Sequence, residues 1–206
     1  MADRRVRKTQ AAIKTALITL LKTKEFEQIT IQHIADEADI NRATFYQHYL
    51  DKYDLLDKIE DEVLLRLQQN FQSYAENILT TLKEEREAHL VALYKGILEI
   101  ISADIVRYQV LLNIHRNGEM EQKIGQTISG NLRSIFPEAE TINGVPFRYF
   151  HAYIVGSMFA VIKTWILDEA RPSVDEQAQY IFQLLYQGPW QNILNESQEG
   201  AGQKSI

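Results

Sequence analysis

The chain has no cysteine and only four prolines among its 206 residues. The absence of cysteine excludes disulfide bonds, thiolate metal sites and cysteine nucleophiles, and it fits a reducing compartment. The first proline is Pro137, so no proline interrupts a helix before that point. Strand-like alternation of apolar and polar residues is also hard to find. We therefore predict an all-α protein.

The chain also lacks several features that mark secretion, membrane insertion and catalysis. No apolar signal-peptide core follows the basic N-terminus MADRRVRKTQ, and charges interrupt the apolar stretches before the ~20 residues of a membrane span. We therefore expect a cytoplasmic protein without a membrane partner. The motifs GxSxG, HExxH and the P-loop are missing, and no second His or carboxylate follows His48 at i, i+4 on its helix. We predict no enzyme, no metal site and no cofactor.

The charge of the chain is distributed unevenly along the sequence. The formal net charge is −6. Through Lys52 there are nine basic and seven acidic residues, a net charge of +2, which leaves −8 for the rest. A positively charged N-terminal segment followed by an acidic remainder indicates that the N-terminal segment binds a polyanion. The alternative is a solvated surface, which is the usual explanation of a charge run.

The pattern of apolar residues predicts about nine helices. The first runs roughly from Arg4 to Thr23, with its apolar residues at i, i+3, i+4, i+7 and i+8. A long helix begins near Asp51. Residues 137–146 are predicted as a loop bounded by prolines. The remaining helices are predicted around residues 89–102, 104–113, 119–136, 147–170 and 174–190.

Residues 30–49 predict a helix, a tight turn and a second short helix. Thr30 and Asn41 are favourable N-cap residues, and Asp39 tolerates the left-handed backbone of a turn. Ile40 and Phe45 have the spacing of a hydrophobic staple. With Phe45 buried, the second helix exposes a polar and aromatic face made of Arg42, Ala43, Thr44, Tyr46, Gln47 and His48. Such a helix can lie in the DNA major groove, and its N-terminus attracts phosphates.

The segment TIQHIADEADINRATFYQHYLDKYDLL resembles the helix-turn-helix of TetR-family transcriptional regulators and the start of their fourth helix. The matching positions are Thr30, Ile34, Ala35, Ala38, Ile40, Arg42, Thr44, Phe45, Tyr46, His48, Tyr49 and Lys52. Asp39 departs from the family pattern, which usually has glycine there. The resemblance implies an α-helical homodimer with an N-terminal three-helix bundle that contains the helix-turn-helix, followed by a larger helical domain.

The resemblance also implies roles for individual residues. Thr30 and the start of its helix would contact phosphate. Base edges or nearby phosphates would be contacted by Arg42, Ala43, Thr44 and Gln47. The DNA backbone would be clamped by Tyr46, His48 and Lys52. Arg4, Arg5, Arg7 and Lys8 resemble an N-terminal arm that adds nonspecific attraction to DNA.

Two further stretches, VRYQVLLN and YIVGSMFAVIKTWILDEARPSVDEQA, resemble the C-terminal domain of a Gram-positive subgroup related to a dihydroxyacetone-kinase regulator. We predict a DNA-binding domain over residues 1–50, an effector-binding and dimerisation domain over residues 51–194, and a disordered tail over residues 195–206.

The aromatic residues of the larger domain have two possible roles, core packing and the lining of an effector cavity. Core packing is the default, and an effector cavity is the alternative, because such cavities are mostly apolar with a few polar groups. The candidate pocket residues are Tyr94, Tyr108, Leu112, His115, Phe150 and Tyr153.

Small and apolar residues on the last two helices predict a dimer interface, with burial inside the monomer as the alternative. Gly156 and Ala160 have i, i+4 spacing that permits close approach of a partner helix. The remaining interface candidates are Phe159, Ile162, Ile181, Leu184 and Leu185.

The sequence therefore predicts a DNA-binding transcriptional regulator. Its partners would be double-stranded operator DNA, a second copy of the chain and a small-molecule effector that releases a repressor from its operator. The alternative is a coactivator or adaptor of the same fold that acts through a partner protein. Operator, effector and target genes are not encoded in any motif.

Overall fold

The computed structural model describes residues 2–80, 82–114, 119–135 and 137–188. The predicted tail at residues 195–206 lies outside this part of the chain. The described residues form two compact units. The first contains the chain up to Leu65 together with Val106–Met120, and the second contains Arg66–Ile105 and the residues from Glu121 onward. This division differs from a boundary at residue 50, because the first part of the fourth helix and nearly all of the sixth belong to the first unit.

Helices α1 to α4 and α6 build the first unit. They are α1 Ala2–Leu21, α2 Ile31–Glu37, α3 Arg42–Tyr46, α4 Lys52–Thr80 and α6 Ile105–Asn113, with a 3-10 helix at Phe26–Gln28 between α1 and α2. The boundary between the units falls within α4. The predicted apolar stripe of α1 is confirmed at its centre, since Ile13, Ala16 and Leu17 are buried. Asp51 caps α4, because its Oδ1 accepts hydrogen bonds from the backbone N–H groups of Tyr53 and Asp54, both at 2.8 Å.

Asp39 ends α2 in the left-handed conformation that the sequence predicted. Its φ is +52°. The Ile40 N–H donates to the Ala35 carbonyl (3.0 Å), and the Asp39 N–H donates to the Asp36 carbonyl (3.2 Å). These two hydrogen bonds form a Schellman motif, which satisfies carbonyls at the end of α2 and reverses the chain toward α3.

The second unit consists of the rest of α4, helices α5, α7, α8 and α9, and a small hairpin. The elements are α5 Lys83–Ser102, α7 Glu119–Ile135, β1 Thr141–Ile142, β2 Val145–Pro146, α8 Phe147–Leu167, α9 Val174–Phe182 and a π-helical turn Gln183–Gln187. Helix α5 packs against α9, and Lys95 forms an ion pair with Asp175 at 2.5 Å between them. This ion pair raises the pKa of Lys95.

The hairpin β1–β2 is an element that the sequence analysis interpreted only as a loop. Its two central residues, Asn143 and Gly144, have φ of +48° and +80°, which is typical of a type I′ turn. Arg133 of α7 holds the base of the hairpin. Its Nη1 donates to the Ala139 carbonyl (2.9 Å), and its guanidinium carbon lies 3.6 Å from the centre of the Phe147 ring.

A rigid turn connects α8 to α9. The indole N–H of Trp165 donates to the Pro172 carbonyl at 2.9 Å. Ser173 and Glu176 then form a capping box at the start of α9, and the hydrogen bonds from Ser173 lower the pKa of Glu176. The buried side chains of α9 are Gln177, Ala178, Ile181 and Phe182.

Helix α8 bears on the expectation of a protein without a membrane partner. It has 21 residues and a mean hydropathy of 1.4 over its most apolar 18-residue window, so its length and composition are sufficient for a membrane span. Only 11% of that window is buried within the chain. Apolar helices of this length also occur in proteins without a membrane span, so this single helix among the described residues is weak evidence for a membrane.

Substitutions of Asp39 test the left-handed turn. Asp39→Val should lower the free energy of unfolding by about 1–2 kcal/mol, because a β-branched side chain is strained at positive φ. Asp39→Gly should leave this free energy unchanged or raise it, because glycine adopts the conformation without steric strain. Urea denaturation monitored by circular dichroism measures both variants. Equal stability of the Val and Gly variants would contradict the assignment.

Candidate nucleic-acid interface

The N-terminus of α2 is closed by a reciprocal pair of hydrogen bonds. Thr30 Oγ1 accepts from the His33 backbone N–H (3.2 Å), and His33 Nδ1 accepts from the Thr30 backbone N–H (3.3 Å). This arrangement is a capping box in which an imidazole takes the place of the usual Glu or Gln. The predicted N-cap at Thr30 is confirmed, and its side chain lies on the exposed surface.

Helix α3 is only five residues long and is capped by Asn41, as the sequence predicted. Asn41 Oδ1 accepts from the Thr44 backbone N–H (2.8 Å) and from the Thr44 hydroxyl (3.1 Å). On the inner side of α3, Phe45 is fully buried and its ring centre lies 5.6 Å from that of Tyr49. Burial and the negative charges of Glu62 and Asp54 raise the pKa of Tyr49 to about 12.

The outer side of α3 carries the predicted polar and aromatic face. Tyr46 is 50% exposed, and its hydroxyl accepts from Arg42 Nη2 at 3.5 Å. The other exposed members are Arg42, Ala43 and Gln47, whereas Thr44 and His48 are half-buried. Neither Arg42 nor Tyr46 points into the interior of the protein. The short helix therefore presents a guanidinium, a phenol and an amide to solvent from a fixed base.

Lys52 occupies a different environment from the other candidate DNA contacts. Its side chain is only 14% exposed. Its Nζ donates to the backbone carbonyls of Phe26 (2.9 Å), Glu27 (3.1 Å) and Ile29 (3.1 Å). All three hydrogens of the ammonium group thus have acceptors within the protein, which distinguishes Lys52 from a side chain free to clamp the DNA backbone.

The basic residues predicted as an N-terminal arm belong to the first turns of α1. Helix α1 begins at Ala2, and Arg4, Arg5, Arg7 and Lys8 have exposed side chains on it. The Arg5 carbonyl accepts a hydrogen bond from the Thr9 hydroxyl at 3.1 Å. These charges are therefore presented on helical backbone.

The candidate effector-pocket residues fall in different environments. Tyr94 of the second unit and Tyr108 of the first unit are buried, and burial raises the pKa of Tyr94 to about 12. Leu112 of the first unit and Phe150 of the second are half-buried. His115 lies outside the described residues. Tyr153 is 50% exposed in the single chain, and its assignment to a pocket stays a prediction.

The candidate interface residues divide by exposure. Gly156, Ala160 and Leu184 are exposed, and Phe159, Ile162 and Leu185 are half-buried. Ile181 is 1% exposed and lies in the chain's own core, which agrees with the alternative of burial inside the monomer.

An exposed stripe on α8 contains residues that the sequence analysis did not assign to the interface. Tyr149 and Tyr153 lie on the same helix face as Gly156 and Ala160, at i, i+4, i+7 and i+11, and all four are exposed. The spacing was visible in the sequence. What it did not reveal is which side of an apolar helix the rest of the chain covers.

Substitutions of Asn41 test how α3 is held. Asn41→Ala should lower the free energy of unfolding by about 1 kcal/mol, because the Thr44 N–H loses its acceptor. Asn41→Asp retains an acceptor oxygen and should be close to the wild type. Urea denaturation of the two variants decides this. If Ala and Asp are equally stable, the side-chain cap contributes nothing to the stability of α3.

Two regions of the chain match models of known protein families, and one relative aligns with most of its length. Residues 13–59 match the bacterial regulatory proteins of the tetR family, and residues 89–187 match a transcriptional regulator C-terminal region of the same family. The HTH-type transcriptional regulator YxbF of Bacillus subtilis (strain 168) is 22% identical over 212 residues. That alignment covers 95% of this chain but 49% of the relative, so the chain spans about half the relative's length.

Solved structures share the fold. A TetR transcriptional regulator from Streptococcus agalactiae 2603V has a TM-score of 0.61 at 21% identity, covering 89% of this chain and 97% of its own. The transcriptional regulator FadR from Bacillus subtilis, solved in complex with stearoyl-CoA, has a TM-score of 0.60 at 18% identity, with 87% and 98% covered. The two matched regions contain the helix-turn-helix and most of the second unit, and the solved structures share the fold. This chain therefore belongs to the TetR family of bacterial transcriptional regulators.

Proposed function

We propose that this protein binds an operator as a homodimer and represses transcription until a small-molecule effector releases it. Members of the family bind operator DNA, dimerise and bind small-molecule ligands. The observation that carries the proposal for this chain is the outward face of α3. Phe45 is buried beneath it, Asn41 fixes its start, and Arg42 and Tyr46 remain exposed.

The chemistry of this face fits the DNA major groove. Arg42 can donate two hydrogen bonds to guanine or to a phosphate, and the Gln47 amide can pair with adenine. Thr44 and the small Ala43 allow the helix to approach the bases, and Tyr46 and His48 can donate to phosphates. Thr30 lies at the exposed start of α2, where backbone N–H groups suit a phosphate contact. Arg5 and its basic neighbours on α1 would add sequence-independent attraction.

We propose that the exposed faces of α8 and α9 form the dimer interface. The stripe of Tyr149, Tyr153, Gly156 and Ala160 on α8 and the exposed Leu184 after α9 supply apolar area that the single chain leaves in contact with water. Phe159, Ile162 and Leu185 flank this area. Two chains related by a two-fold axis would present two α3 helices to half-sites about one helical turn or more apart.

The effector would bind in the second unit, where Tyr94 and Phe150 are candidate contacts. Among the described residues of this unit, the polar side chains that are buried as a whole are the amides of Asn131 and Gln177, and Nε of the half-buried Arg86 is buried as well. Burying an unpaired charge is strongly unfavourable. Because most buried side chains of this unit are apolar, we propose an effector whose enclosed part is mostly uncharged. An effector that binds one conformation better would shift the population away from the DNA-binding state.

Two narrower assignments also belong to this proposal. The matched C-terminal region at residues 89–187 includes both stretches that resemble the subgroup related to a dihydroxyacetone-kinase regulator, which supports placing the chain near that subgroup. A regulator that binds operator DNA acts where the bacterial chromosome is, and we place the protein in the cytoplasm on that ground.

Arg42→Ala tests the operator-binding proposal. The variant should bind the intergenic DNA beside its own gene about 5- to 150-fold more weakly than the wild type, because it loses contacts to bases or phosphate. Fluorescence anisotropy with labelled duplexes, repeated at several salt concentrations, measures this change. Arg66→Ala is the matched control, because Arg66 is an exposed arginine of α4 outside the helix-turn-helix.

A wild-type protein that binds this DNA no better than random DNA would contradict operator binding there. The adaptor alternative makes a different prediction. A partner protein that is still captured by the Arg42→Ala and Tyr46→Ala variants, with regulation intact in the cell, would favour the adaptor over the operator-binding regulator.

Gly156→Glu tests the dimer interface. In the single chain, a Cβ built on Gly156 meets no atom within 4 Å, so the fold should tolerate glutamate there. In the dimer, the charge would be buried against the partner helix, and the variant should elute as a monomer by size-exclusion chromatography with light scattering. Gly130→Glu is the matched control, because Gly130 is also an open position within a helix. A dimeric Gly156→Glu variant would exclude this face.

A further inference from the structure

The first residue of α4 holds the segment that leads into α2. Lys52 Nζ donates to the carbonyls of Phe26, Glu27 and Ile29, at 2.9, 3.1 and 3.1 Å. An ammonium group has three hydrogens and no acceptor, so three carbonyls match its full capacity. The partners lie 23 to 26 positions earlier in the chain, so the contact joins two parts of the first unit.

Aromatic and acidic groups complete the environment of this ammonium. It lies 4.7 Å from the centre of the Phe26 ring and 5.4 Å from that of Tyr53. The Glu27 carboxylate is 3.7 Å away and accepts from the Tyr53 hydroxyl at 2.9 Å. The two rings meet edge to face at 5.2 Å. Cation–π and ionic attraction thus add to the three hydrogen bonds.

One peptide group connects Lys52 directly to the start of α2. Ile29 is buried and its carbonyl accepts from Lys52, and the N–H of the same peptide group belongs to Thr30 and donates to His33 Nδ1. Both polar ends of this peptide group are therefore held. One end is held by α4 and the other by α2 itself.

We infer that Lys52 is a positioning residue, which couples the start of α4 to the N-terminus of α2 so that the two move together. This inference rests on the proposed operator binding and changes the role of one residue in it. Lys52 acts on DNA through Thr30 and α2. A direct phosphate contact would require the ammonium to release three carbonyls, two of which are in part-buried hydrogen bonds, and leaving such acceptors unpaired is costly.

Amide hydrogen exchange on the free protein tests the coupling without DNA. Lys52→Met keeps the aliphatic stem and removes the donors. Exchange should become at least tenfold faster at Gln28, Ile29 and His33, whose N–H bonds lie in the held segment, and remain unchanged at the centre of α1. Lys58→Met is the matched control, because Lys58 is a lysine of α4 whose Nζ donates to Asp54 on its own helix and lies 5.1 Å from the centre of the Tyr49 ring, away from residues 26–29. Uniform acceleration, or none, would overturn the inference.

Measurements of DNA affinity distinguish a positioning role of Lys52 from a direct phosphate contact and from a purely structural role. A positioning residue predicts that Lys52→Met weakens operator binding at least tenfold while affinity for random DNA and its salt dependence stay the same. A phosphate contact predicts equal weakening on both DNAs and a salt slope reduced by about 0.9. A purely structural role predicts a lower Tm with unchanged operator affinity of the folded protein. Either of the last two results would overturn the inference.

A second variant keeps the test valid if Lys52→Met fails to fold. Lys52→Gln retains two donor hydrogens, so its exchange rates and operator affinity should lie between those of the wild type and a full loss of the contact. Values equal to the wild type in both measurements would overturn the inference. If the wild type binds no DNA specifically, operator binding fails, and the exchange experiment still decides whether Lys52 holds α2.

Discussion

Burial of Phe45 is the interaction on which the exposed polar face of α3 depends. A helix of five residues is far too short to be stable alone, because one or two turns cannot repay the cost of nucleation. Phe45 contributes a fully buried ring that anchors α3, and the neighbouring Tyr49 extends the buried surface. Once Phe45 points inward, the helical period places Arg42 and Tyr46 on the outside. The exposed polar face is a consequence of the buried ring.

Around this anchor, hydrogen bonds to the backbone define the geometry more than ion pairs do. Thr30 and Asn41 start α2 and α3, the Schellman motif at Asp39 turns the chain between them, and Lys52 holds the segment before α2. These contacts leave few free backbone groups at the helix ends of the motif. This order fits the proposed base contacts, because side chains that are held in place before binding lose less conformational entropy on binding.

The second unit differs from the first in that it leaves an apolar surface of α8 exposed in the single chain. Helix α8 is largely apolar, yet only 11% of its most apolar window is fully buried by its own chain, and the rest of that window is half-buried or exposed. Small residues at Gly156 and Ala160 and tyrosines at 149 and 153 line its open side. The Trp165–Pro172 bond and the capping box at Ser173 fix how α8 passes into α9. The open face is thus presented on a well-defined pair of helices, which suits a symmetric partner.

The sequence alone determined the features that depend on neighbouring residues: the all-α class, the caps at Thr30 and Asn41, the left-handed Asp39 and the buried Phe45. Each follows from side chains within about one turn of the residue concerned. The hairpin at Asn143-Gly144 could also have been predicted from the sequence, because that dipeptide is a strong local signal for a hairpin turn. Its strands are only two residues long, so they leave no alternating pattern in the sequence. Only the tertiary structure decided where Ile181 and Tyr153 point and which carbonyls bind Lys52. Those outcomes depend on groups that folding brings together from distant parts of the chain, and no local pattern encodes which side of an apolar helix is covered.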